Sequence, residues 1–117
     1  MTKRSQLIAE LGACLLALAC VSCATPAERA GYDAFLDRIA QDCRPLVIGS
    51  ENVGQALISN GVGADPDHYG DFLSATKALY YGNIPADVYR TSITAQLGGG
   101  PNNDRSVDCI VAHLPKS

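Results

Sequence analysis

Residues 65–98 read DPDHYGDFLSATKALYYGNIPADVYRTSITAQLG, and this stretch decides the fold. It predicts two helices in a hairpin. Asp65 is a helix N-cap whose carboxylate accepts from the unpaired N–H groups of the first turn. Pro66 follows at the first helical position, where no N–H is needed. Tyr69, Phe72, Leu73, Thr76, Leu79 and Tyr80 recur at three- and four-residue spacing and make one broad apolar stripe. Gly82 ends this helix, because glycine accepts the left-handed conformation that a C-terminal cap requires. Pro85 opens the second helix, whose expected buried residues are Val88, Tyr89, Ile93 and Leu97, and Gly98 closes it. Four of the five tyrosines lie here. Neither stripe is stable alone in water, so the rest of the chain is expected to pack around the hairpin.

A chain of 117 residues holds one domain at most. Hydrophobic residues make up 47% and charged residues 18%, a globular rather than a disordered balance. Past residue 23 there are seven basic side chains against eleven acidic ones, and the bases (Arg29, Arg38, Arg44, Lys77, Arg90, Arg105, Lys116) are scattered singly. No stripe is available to neutralise a row of phosphates, which argues against nucleic acid as a partner.

The N-terminus has the pattern of an export signal. Lys3 and Arg4 form a positive start, and LGACLLALACV at residues 11–21 is an apolar run well short of the ~20 residues a membrane-spanning helix needs. The end of this segment, LALACVSCATP, resembles the leader of bacterial lipoproteins, in which a small residue precedes a cysteine that is lipidated and becomes the new N-terminus. The resemblance implies residues 1–23 as leader, 24–117 as a single domain, and attachment by a lipid anchor rather than a spanning helix. It implies a place in the periplasm or on the outer face of the bacterial envelope, and, without the anchor, secretion. Cys23 and Cys20 both compete for the lipid, and ordinary cleavage after Ala19 or Ala24 is a further alternative. Processing at Cys23 leaves an even pair, Cys43 and Cys109, whereas processing at Cys20 strands Cys23 as a free thiol, so the cysteine count favours Cys23. In an oxidising compartment Cys43 and Cys109 are then expected to form a disulfide, contributing ~4 kcal/mol by the loop-entropy estimate.

Taken in order, Thr25-Pro26-Ala27-Glu28 starts a first helix with a capping box. Its stripe is Tyr32, Phe35, Leu36, Ile39 and Cys43, and Arg44-Pro45 ends it. Leu46-Val47-Ile48 is too short for a strand and has no evident partner, so it is expected to cross the core as an extended plug. Ser50 is expected to cap a short helix over 51–59 with Val53, Ala56, Leu57 and Ile58 as its apolar residues. Gly54 weakens that helix by ~1 kcal/mol, and close backbone packing is the reason expected for its presence. Asn60-Gly61 ends it. GGGPNN at 98–103 is the loop expected to be most mobile, and Asn102 or Asn103 caps a last helix over 104–113 with Val107, Ile110, Val111 and Leu114 inward. The fold class is therefore all-α, a bundle of about five short helices with one disulfide.

Asp65, Asp67, His68 and Asp71 form the densest polar cluster. It lacks the glycine turn and distal glutamate of a calcium loop, and the acids suit a helix N-terminus. Zinc needs His and Cys together, and with the cysteines committed to a bridge only His68 and His113 remain. The glycine run at 98–100 follows a helix and is not followed by Gly-Lys-Ser/Thr, so it is not a phosphate loop. No Gly-x-Ser-x-Gly elbow marks a nucleophile. His113 is expected to be structural. Tyr81 and Arg90 are the expected interaction surface, since aromatic and arginine side chains are favoured at protein interfaces.

These readings point to a non-catalytic, cofactor-free module that binds another protein of the cell envelope. In outline the chain is similar to small disulfide-bonded helical envelope proteins, including immunity proteins that shield cells from secreted wall-degrading amidases. No motif of such a family is matched residue by residue, so no site is carried over. The alternatives are a carrier enclosing a small hydrophobic ligand and, third, a hydrolase using His68 with Asp65 or Asp71.

Overall fold

A computed structural model of the protein describes residues 26–116. The expected Thr25 cap and the lipidation candidates Cys20 and Cys23 lie outside the described residues. In chain order the elements are α1 (Pro26–Asp42), β1 (Val47–Ile48), β2 (Glu51–Asn52), α2 (Val53–Ile58), α3 (Pro66–Tyr80), α4 (Ala86–Leu97) and α5 (Asn103–Ala112). Residues 26–31 form the opening turns of α1, and the packing below concerns the compact unit that begins at Tyr32.

The α3–α4 hairpin forms as the spacing predicts. The Asp65 carboxylate accepts from the N–H groups of Asp67 and His68, both at 3.0 Å, with Pro66 at the first helical position. At the other end Asn83 N–H bonds the Ala78 carbonyl at 2.8 Å and Gly82 N–H bonds that of Leu79 at 3.1 Å. With Gly82 at φ +75°, this pair of bonds closes the helix as a Schellman motif. Asn60, at φ +53°, closes α2 in the same way through Gly61 N–H to the Ala56 carbonyl.

Phe35, Ile39, Phe72, Tyr89, Ile93, Val107 and Ile110 form one fully buried core. The hydroxyls of Thr76 and Tyr89 meet within it at 2.8 Å, so the polar tip of the largest core side chain is satisfied. Val88 departs from the sequence reading: it is exposed, because the helical position before Tyr89 turns away from α3. Cys43, just past α1, is bonded to Cys109 of α5 with 5.8 Å between their Cα atoms, and the disulfide ties the first long helix to the last.

The segment after α1 is not a lone extended plug. Val47 and Ile48 pair antiparallel with Asn52 and Glu51 in a two-residue ladder turned at Gly49 and Ser50. Leu46 and Ile48 still bury fully, as an apolar plug should. The hairpin is held from its other edge by α5. Ser106 donates its hydroxyl to the Val47 carbonyl at 2.8 Å and accepts from Val47 N–H at 3.2 Å, in the place of a third strand. Asn103 accepts from Gly49 N–H at 2.8 Å and donates to the Gly98 carbonyl at 3.0 Å. It is buried rather than capping, and it pins the loop expected to be the most mobile. Gly49 is at φ +61°, and a Cβ there would stand 2.2 Å from the Leu97 carbonyl oxygen.

The cap of α2 is Asn52, whose side chain accepts from Gln55 N–H at 3.1 Å, and not Ser50, which the hairpin turn occupies. Gly54 does mark a close approach: a Cβ would lie 2.9 Å from Cβ of Leu46.

Candidate functional site

α2 is a short helix with a two-sided environment. Val53 and Ala56 turn into the core, and its last residue, Ile58, stands 51% exposed. The chain then turns through Asn60 and Gly61 and lifts Val62 to 78% exposure. The Ser59 hydroxyl fixes that turn by donating to the Val62 carbonyl at 2.9 Å. Two open grooves adjoin these side chains. One runs past Ile58 between Arg44, Pro45 and Leu46, the other past Val62 beside Ser50 and Glu51. Asn52 and Gln55 line both, so the two grooves adjoin on the exposed side of α2. The face thus offers two aliphatic knobs, with the exposed Arg44 at one end and Glu51, bound to His68, at the other. A lone valine between glycines at 61–63 and an isoleucine in a short apolar helix carried no sign of this in the sequence.

The residues expected to form the interaction surface are engaged within the protein. Arg90, half-buried on α4, donates to Asp104 at 2.9 Å and to Asp108, both on α5. The paired carboxylates hold the guanidinium charged and clip the two helices together. Tyr81 caps α3 and packs edge-on against Tyr80 at 5.0 Å between centroids and tilted against Tyr32 at 5.9 Å. The Tyr32 hydroxyl donates to the Leu73 carbonyl, and burial, helped by the Tyr81 hydroxyl nearby, pushes its pKa up to about 12. Arg90 therefore serves the α4–α5 seam and Tyr81 an aromatic group at the α1–α3 seam.

His68 is not paired with Asp65 or Asp71. Its Nδ1–H donates to Glu51 of β2 at 2.9 Å, and this bond raises its pKa above the ordinary value, with the charges of Asp65, Glu51 and Asp71 adding to it. Asp65 is occupied as the cap, and those backbone bonds lower its own pKa. The arrangement joins α3 to the β-hairpin.

His113 belongs to the disulfide. Its Nδ1 lies 2.8 Å from the Cys109 carbonyl and 3.8 Å from both sulfurs, and its Nε2 lies 3.2 Å from Asp42. A histidine four residues after a cysteine on one helix was the signal for this cluster.

Among the described residues no helix is long and apolar enough to cross a membrane. Comparison with known proteins finds no matching family model, no matching curated protein and no matching solved structure.

Proposed function

We propose that the protein is a non-catalytic binding module of the bacterial cell envelope, exported by its leader, anchored by a lipid on Cys23, and docked to a partner protein through the Ile58–Val62 face. The observation that carries this reading is the exposure of Ile58 and Val62 on adjoining grooves, beside a core whose apolar side chains are almost all fully covered. Paired aliphatic groups beside an exposed arginine, Arg44, suit a partner that brings an apolar contact with an acidic rim. A blocking or shielding role, like that of an immunity protein, requires nothing beyond such a face.

Immobilised protein with its disulfide intact should retain a stoichiometric partner from envelope extract under non-reducing conditions. The Ile58→Asp, Val62→Asp variant should lose it, and a Tyr81→Ala variant should keep it. Retention by the face variant overturns the assignment of the surface. A small hydrophobic adduct in native mass spectra of detergent-free protein replaces the reading with that of a carrier. Labelling with a palmitate analogue in Cys20→Ser and Cys23→Ser variants tests the anchor separately.

A further inference from the structure

Cys43, Cys109 and His113 bring three potential ligand atoms within 4.8 Å of one another. Nδ1 of His113 stands 3.8 Å from each sulfur, and the opposite ring nitrogen faces a carboxylate oxygen of Asp42 at 3.2 Å. Two sulfurs and an imidazole nitrogen are the ligand types zinc selects. A carboxylate on the far nitrogen is the partner that orients a zinc-binding histidine and sets its tautomer. Cys43 is buried, Cys109 and His113 are half-buried and Asp42 is exposed, so an ion would be enclosed on one side and reachable from the other.

We propose that reduction of the Cys43–Cys109 disulfide converts this cluster into a zinc site, with Sγ of Cys43, Sγ of Cys109 and Nδ1 of His113 as ligands and water in the fourth position. A dithiol reductant supplies two electrons and two protons. The Sγ–Sγ bond breaks, each cysteine becomes a thiol, and the reductant closes to its own disulfide. Zinc then displaces the two thiol protons into solvent. Nδ1 of His113, which gives its hydrogen bond to the Cys109 carbonyl in the oxidised chain, releases its proton as well, and the ring keeps the one on Nε2, donated to Asp42. The Nδ1 contact with the Cys109 carbonyl is exchanged for the metal.

Ordinary zinc–ligand lengths in a tetrahedron put sulfur and nitrogen about 3.5 Å apart and two sulfurs about 3.8 Å apart. The sulfur–nitrogen distances are already close to the first value. Released sulfurs reach the second by side-chain rotation across the 5.8 Å between their Cα atoms. Disulfide and metal compete for the same two atoms, so the oxidised chain has no site and the reduced chain has one. The ion would also replace the covalent tie between the end of α1 and α5.

The test uses the full chain reduced with dithiothreitol, freed of reductant without air, and titrated with Zn²⁺ against a chromophoric chelator while circular dichroism is recorded. The expected result is one zinc per reduced chain and none at this site in the oxidised chain. Asp42→Asn should weaken binding ten- to hundredfold, as loss of such a partner does, and His113→Asn should weaken it further still. Where reduction alone costs helical signal, one equivalent of zinc should restore it. The proposal is overturned by absence of stoichiometric zinc, by unchanged affinity in His113→Asn, by equal binding to the oxidised chain, or by helical signal that zinc does not recover.

Discussion

The hydroxyls of Thr76 and Tyr89 share a 2.8 Å hydrogen bond in the sealed seam between α3 and α4, with neither side chain reaching solvent. Burial pushes the Tyr89 pKa far above the ordinary tyrosine value, and the Thr76 bond opposes only part of that rise. Tyr89→Phe strands one buried hydroxyl and should cost about 1–2 kcal/mol in urea unfolding. Adding Thr76→Val removes the stranded group, so the double variant should be less destabilised than the two single effects summed. The coupling expected from the cycle is about 1 kcal/mol.

α5 stabilises the β-hairpin through side chains rather than a strand. Asn103→Ala leaves Gly49 N–H without its acceptor and should cost about 2 kcal/mol. Gly49→Ala combines a left-handed backbone with a Cβ 2.2 Å from a carbonyl oxygen, and should cost more than about 2 kcal/mol. Equal thermal midpoints for Gly49→Ala and the parent would contradict this packing.

Replacing Cys43 and Cys109 together by serine opens a loop of 66 positions. The loop-entropy estimate is a loss of ~4 kcal/mol. Set against the ~5–15 kcal/mol of a typical domain, that leaves a folded but much weaker protein. Denaturant midpoints of the oxidised chain and the double variant measure the difference.

His68 gives the fold a pH dependence whose sign follows from its raised pKa. The Glu51 pair stabilises fully below the unfolded value of 6.5, and the contribution is lost as pH rises through the higher folded value. An NMR titration should place the His68 midpoint above 6.5, and Glu51→Gln should bring it down. A midpoint unmoved by Glu51→Gln would mean that Asp65 and Asp71 set the shift.

Ile58→Asp and Val62→Asp alter exposed side chains and should leave stability within about 0.5 kcal/mol. Loss of partner binding with an unchanged unfolding curve is the expected pairing of results. Unfolding of the variant at markedly lower denaturant would instead make the face part of the core.

The ends of α3 were legible because their signals are local. Asp65-Pro66 and Gly82 act through their own backbone, and stripes such as Phe72–Thr76–Leu79 are set by the 3.6-residue turn alone. The hairpin at 47–52 was not legible, since a two-residue ladder is shorter than any period and gains its third edge from Ser106, 59 positions away. Val88 was misjudged because an apolar residue at a plausible helical position carries no record of which way the neighbouring helix lies.

Composition and spacing by themselves determined a mostly helical chain with inward stripes and a cysteine pair suited to a bridge. Only the tertiary structure decided which polar groups serve as contacts: Asn103 and Ser106 buried against β1, Arg90 spent on Asp104 and Asp108, and His113 set over the disulfide. It also decided that Ile58 and Val62 would be left uncovered. The physical reason is range. Caps and periodicity act over a few residues of one segment, whereas burial and hydrogen-bond partners depend on segments that meet only after the chain has closed on itself.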